Sequence, residues 1–141
     1  IYTRLETAIE MREIAEPYIK RKALKHLEKG RVVIFACGTG NPYFTTDTGA
    51  ALRAAQIKAD ALLMAKNIDG VYDSDPRKNP DATKLEHIAY MDVMNQKLSV
   101  MDFTSITMCM ENNLPIVAFG LDEENSIVRA AMGEKIGTVI D

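Results

Sequence analysis

The stretch Gly38-Thr-Gly-Asn-Pro-Tyr-Phe-Thr-Thr-Asp47 holds the residue types best suited to chemistry in this chain. It follows an apolar run and precedes a helical pattern. Glycines at the end of a strand let the backbone turn tightly and approach a ligand with no Cβ in the way. Thr45, Thr46 and Asp47 then open the helix, where unpaired N–H groups and the positive end of the dipole favour a phosphate. Tyr43 and Phe44 offer flat apolar surface for a nucleobase or a sugar. Asp47 is expected to cap the helix, with a cation or a lysine as its alternative partner. The loop is not a Walker A motif, because no Gly-Lys-Ser/Thr follows the glycines. Pro42 and Tyr43 break the Rossmann pattern. The plainer alternative is a turn with a Thr/Asp cap.

A second loop, Lys66-Asn-Ile-Asp-Gly-Val-Tyr-Asp-Ser-Asp-Pro76, also follows an apolar run. Lys66 can counter phosphate charge as a point cation. Tyr72 can cover an adenine, and Asp73 or Asp75 can contact ribose hydroxyls or a hydrated Mg²⁺. The spacing of its acids does not fit an EF-hand. A solvated turn built on Asp-Gly and Asp-Pro is the competing reading. Asp102, after Val100-Met101, reads as a helix cap with an active-site role as the alternative. His26 and His87 are isolated and lack metal-ligand spacing, and the eight methionines read as core filling.

These loops need a scaffold. The chain has 141 residues, 15.7 kDa, 47% hydrophobic and 26% charged. That is one domain's length and is not the composition of a disordered chain. Seventeen basic and 20 acidic residues leave a net charge of −3. That balance argues against a phosphate-backbone binder, so no nucleic-acid partner is expected. No apolar run reaches the roughly 18–20 residues of a membrane span, so no membrane partner is expected either. Cys37 and Cys109 form no CxxC pair and lie in apolar stretches, which predicts buried free thiols and a reduced, cytoplasmic setting. No signal or transit pattern opens the chain. It begins with Ile1 rather than Met, which raises the expectation of a processed chain or the later part of a longer protein.

Leu5 to Ala15 reads as a charged amphipathic helix interrupted by Pro17. A second helix pattern runs from Tyr18 to Lys29, with Ile19, Ala23, Leu24 and Leu27 on one face and Gly30 as its stop. Arg31 to Cys37 reads as a strand buried on both faces. A helix over about Asp47 to Lys58 follows, with an Ala51, Leu52 and Ala55 stripe, and then a strand over Ala61 to Ala65. Ile68 to about Thr83 reads as a long polar loop. Helices over Tyr90 to Gln96 and Met101 to Asn113 precede a third strand, Pro115 to Phe119. A helix over Ser126 to Met132 and a strand over Gly137 to Ile140 close the chain. Strands alternating with helices predict the α/β class, a single domain over 1–141 with a mainly parallel sheet covered on both faces. Ligands of such sheets sit outside the carboxyl ends of the strands, where both loops lie.

Gly38 to Asp47, Asp69-Gly-Val-Tyr72 with Asp75-Pro76, Val100-Met-Asp102, Asn113-Leu-Pro-Ile-Val117 and Gly133-Glu-Lys-Ile-Gly-Thr138 together resemble the bacterial UMP kinases of the amino acid kinase superfamily. The resemblance runs over nearly the whole chain and matches the C-terminal portion of those enzymes. It implies a three-layer α/β/α sandwich whose N-terminal part, with a lysine-containing glycine loop, is missing here. It implies transfer of a phosphoryl group from ATP to UMP in pyrimidine nucleotide biosynthesis, with Mg²⁺ accompanying ATP. This chain alone is then expected to be inactive. UMP is implied to bind Thr39, Gly40, Asn41, Pro42, Tyr43, Phe44, Thr45 and Thr46. ATP is implied to bind Tyr72, Asp75 and either Lys66 or its neighbour Asn67. Asp47 and Asp102 resemble active-site acids with positioning or Mg²⁺ roles. A homohexamer, activation by GTP and inhibition by UTP are implied as well. The alternatives are another amino acid kinase acting on a carboxylate or carbamate, and a non-catalytic nucleotide-binding module.

Overall fold

Five consecutive apolar residues after Gly30 form a strand, as their pattern predicts, but the polar stretch before them is extended too. The computed structural model describes residues 1–98 and 100–141, which fall into two compact units, Ile1–Ala59 and Asp60–Asp141.

The first unit contains β1 (Thr3–Thr7), β2 (Glu16–Pro17), α1 (Lys20–Glu28), β3 (Val32–Ala36) and α2 (Thr46–Ile57). Its sheet has the order β2-β1-β3 and is parallel throughout, with Leu5 opposite Ile34 and Glu6 opposite Phe35. The helix expected over Leu5 to Ala15 is therefore replaced by a central strand and a turn, in which the Ile14 and Ala15 N–H groups donate to the Met11 carbonyl. The reason is tertiary: β1 satisfies its backbone on both sides, which outweighs a weak local preference for helix. Its Glu6 and Thr7 are buried where a helix would have shown them to water.

Helix α1 forms where expected, and Ala23 is fully buried, but Ile19 and Leu27 remain exposed. Val32 and Ile34 are also open, so β3 is covered on one face and not on both. In α2 the buried positions are Thr48, Gly49, Ala51, Arg53 and Ala54, a stripe rotated from the expected Ala51, Leu52 and Ala55. Cys37 is exposed at the end of β3, contrary to the buried thiol expected there, whereas Cys109 is buried.

The second unit contains β4 (Leu62–Lys66), β5 (Val71–Tyr72), β6 (Lys84–Leu85), β7 (His87–Ile88), α3 (Tyr90–Asn95), α4 (Phe103–Glu111), β8 (Ile116–Gly120), α5 (Ser126–Ala131) and β9 (Thr138–Ile140). Its sheet has the order β4-β8-β9-β7, with β4 and β8 parallel, β8 and β9 antiparallel, and β9 and β7 parallel. The loop expected over Ile68 to Thr83 instead carries β5, which pairs with β6 as a short antiparallel ribbon. Two-residue strands have too little pattern to be read locally, and they exist here because Thr138 ties them to the sheet. Its buried Oγ1 accepts from the Val71 N–H at 2.8 Å and donates to the Leu85 carbonyl. Ile106, Ile116, Phe119 and Ile140 are the largest fully buried side chains of this unit.

A buried acid in the first unit makes the fold pH-sensitive. Burial holds the Glu6 carboxyl above its ordinary value of 4.5, against the lowering effects of the Ile19 backbone N–H and His26. The folded chain thus binds this proton more tightly than the unfolded one, and stability falls as pH rises from 4.5 through the raised folded value. Glu6→Gln keeps the shape and removes the charge. It is expected to be more stable than the parent at neutral pH, with the margin shrinking as pH falls through the raised folded value towards 4.5. Urea titrations of the two proteins across that range check this, and a margin independent of pH would refute it.

Candidate functional site

The first site is the turn after β3. Cys37, Gly38, Gly40 and Tyr43 all have positive φ, between 55° and 75°, so the segment is a run of left-handed turns rather than an extended loop. Gly40 is required by space as well as by conformation, since a Cβ there would lie 3.1 Å from the Ala8 Cβ. The Gly40 N–H donates to the Cys37 carbonyl at 2.9 Å, and the Asn41 N–H donates to the Thr39 hydroxyl at 3.1 Å. The Asn41 side-chain amide donates to the Thr39 carbonyl at 3.2 Å. Thr39, Gly40 and Asn41 are thereby locked to one another. Pro42, Tyr43, Phe44, Thr45 and Thr46 are exposed, with the Tyr43 ring fully in solvent.

Helix α2 then starts on Thr45, whose side chain accepts from the Thr48 N–H at 3.1 Å. Thr45 is the cap and Asp47 sits in the first turn, a correction of the expected Asp47 cap. A threonine hydroxyl at the boundary reaches the backbone three residues on, a reach Asp47 lacks from inside the turn. The arrangement offers hydroxyls, glycine-rich backbone and a helix N-terminus to one anionic ligand.

The second site is a cleft of about 560 Å³ within the second unit. Lys66, Asn67, Tyr72 and Asp75 all line it, so every residue expected to meet ATP faces one space. Lys66 ends β4 and Tyr72 lies on β5. Gln96, Lys97 and Leu98 supply wall that sequence reasoning did not single out. Asp75 accepts from the Arg77 N–H at 3.0 Å and lies 3.6 Å from the Lys78 ammonium, which fixes the Asp-Pro turn.

Asp69, by its Asp-Gly pattern a turn residue, organises this wall. Its carboxylate accepts from the Tyr72 hydroxyl at 2.8 Å and from the Lys84 ammonium at 3.0 Å. Partial burial opposes its ionisation, but the hydrogen bonds from Lys84 and Tyr72 prevail and hold it below its ordinary value. The same contacts raise the Tyr72 and Lys84 pKa values. Tyr72 is thus a ring held by its hydroxyl, with its orientation preset. No local signal marks this, because Lys84 is fifteen residues away.

Asp102 caps α4, its Oδ1 accepting from the Ser105 N–H at 3.0 Å, as its position in the sequence predicts. It is not among the residues lining the cleft. A third cluster joins Glu6, Glu16 and His26, with His26 Nε2 at 3.9 Å and 3.5 Å from the two carboxylates. Arg31 Nη1 lies 2.9 Å from His26 Nδ1. A guanidinium only donates, so Nδ1 accepts and the Nε2 proton faces the acids. The ring therefore turns its Nε2 proton towards these carboxylates without hydrogen-bonding Glu6, whose buried oxygens have no hydrogen-bond partner among the described residues.

The model of the amino acid kinase family matches residues 5–119, most of the chain and both sites. The chain belongs to the amino acid kinase family. The α/β class and the family resemblance expected from the loop sequences are borne out. Solved structures agree. The UMP kinase from Bacillus anthracis is 39% identical, with a TM-score of 0.95, over 99% of this chain and 58% of its own. The UMP kinase from Ureaplasma parvum is 40% identical, with a TM-score of 0.93, over 100% of this chain and 60% of its own. The uridylate kinase from Archaeoglobus fulgidus is 31% identical, with a TM-score of 0.70, over 89% of this chain and 59% of its own. This amino acid kinase chain therefore spans about three-fifths of the length of those relatives. Among its described residues no helix is long and apolar enough to cross a membrane.

Proposed function

We propose that the protein to which this chain belongs transfers the terminal phosphoryl group of ATP to UMP, giving ADP and UDP. The observation that carries this reading is the cleft shared by Lys66, Asn67, Tyr72 and Asp75, in a chain about 40% identical to solved UMP kinases. Phosphoryl transfer asks for positioning and charge neutralisation rather than covalent chemistry by the protein. In the proposal the Thr39 to Thr46 loop takes UMP, with the α2 N-terminus and threonine hydroxyls toward its phosphate. The cleft takes the nucleoside part of ATP, its adenine against the preset Tyr72 ring. Asp47 and Asp102 act as positioning acids.

Mg²⁺ fits the donor set. It favours one or two carboxylates together with phosphate oxygens and water, and Asp73 and Asp75 both line the cleft. The ion would supply charge neutralisation on the phosphates. A homohexamer activated by GTP and inhibited by UTP belongs to the same proposal.

Acceptor choice tests the reading. The full-length gene product, supplied with ATP and Mg²⁺, is expected to phosphorylate UMP in preference to CMP and to leave aspartate and glutamate untouched. Turnover of an amino acid or carbamate with none of UMP would overturn the proposal in favour of another branch of the family.

A further inference from the structure

Arg53 is a basic residue in the middle of an alanine-rich helix, and it is only 7% exposed. Its guanidinium is held on three sides within the first unit. Nη2 donates to the Gly38 carbonyl at 3.1 Å and Nη1 donates to Gln56 Oε1 at 2.8 Å. Its face lies 3.9 Å from the centroid of the Tyr18 ring, which packs edge-on against Phe35 at 5.6 Å. Both hydrogen-bond acceptors are neutral, so these contacts leave the charge of the group uncancelled.

The bond to Gly38 has a consequence for the next residue. A peptide unit is planar and trans, so its C=O and N–H point in opposite directions, and none among the described residues is cis. Holding the Gly38 oxygen toward Arg53 therefore turns the Thr39 N–H away from it. Among the described residues that N–H has no acceptor. It is a donor aimed and unspent, at the start of the loop expected to meet UMP.

We propose that Arg53 is a positioning residue, which fixes the Gly38–Thr39 peptide so that the Thr39 N–H donates to an oxygen of the acceptor nucleotide. This rests on the UMP reading of the loop. Arg53 itself never touches the nucleotide. Its fixed charge behind the glycines adds to the attraction of the loop for an anion.

The test uses the full-length protein with Arg53→Gln and Arg53→Lys. In Arg53→Gln the KM for UMP is expected to rise about tenfold, the value of one well-placed hydrogen bond to a charged or strongly polar group, with the KM for ATP within about twofold. Arg53→Lys keeps the charge and one donor, and is expected to recover part of the loss. An unchanged KM for UMP in a folded Arg53→Gln protein would overturn the proposal. So would equal losses for both substrates without rescue by lysine, which is the signature of a purely structural role. A readout free of substrate separates this from failure of the UMP reading. The amide ¹H–¹⁵N resonance of Thr39 is expected to move in both variants without nucleotide. If the protein rejects UMP but this resonance moves, the substrate reading falls and the positioning of the peptide stands. An unmoved resonance overturns the positioning role whatever the substrate.

Discussion

Gly137→Ala is expected to destabilise the second unit by about 3–5 kcal/mol, through a left-handed backbone and a steric collision that add. Gly137 has φ of +67°, and a Cβ there would lie 2.0 Å from the Ala118 carbonyl oxygen and 2.8 Å from the Phe119 Cβ. Neither neighbour can yield. Ala118 pairs with Thr138 in the β8–β9 ladder, and Phe119 is 2% exposed in the core. Gly133 provides the control. Its φ is +79°, but nothing lies within 4 Å of a Cβ built there. Gly133→Ala therefore carries the conformational term alone, about 1–2 kcal/mol. Urea denaturation of the two variants checks the difference. Equal losses would mean that β9 can shift away from β8 without penalty, contrary to the packing described.

Gly49→Val is expected to lower kcat/KM for UMP about 100-fold while leaving the KM for ATP within about twofold, because a displacement near 1 Å in a positioning element has effects of that order. Gly49 is buried in the first turns of α2, and a Cβ there would lie 3.0 Å from the Gly38 Cα and 3.2 Å from its carbonyl carbon. The two branches of valine reach further, so the loop must leave the helix. Ala50→Val puts the same branched side chain one position along, where the residue is half-buried. It controls for the helix propensity of valine and is expected to leave UMP kinetics near those of the parent. Steady-state kinetics on the full-length protein decide this. Equal effects from the two variants would show that close approach of α2 to Gly38 does not matter for the acceptor.

The positions of helices and strands were legible wherever a long pattern stood between punctuating residues. Gly30 and Gly133 stop α1 and α5, the apolar runs became β3, β4 and β8, and Asp102 capped α4. These features depend on neighbours within three or four residues, so local chemistry suffices to predict them. The two loops were legible for the same reason. Glycines, threonines and Asp-Pro turns announce a backbone shape before any partner is known.

Tertiary structure decided the rest. Thr3 to Thr7 became a strand because two other strands satisfy its backbone. Val71 and Tyr72 became one because Thr138, some seventy residues away, takes the Val71 N–H. Arg53, Asp69 and Glu6 looked like ordinary charged residues, and their partners lie ten or more positions off, except for Gln56 and Tyr72 beside the first two. A charged side chain acquires its role from what surrounds it after burial. Sequence alone therefore named the loops of this member of the amino acid kinase family, while only the folded chain showed which groups hold them in shape.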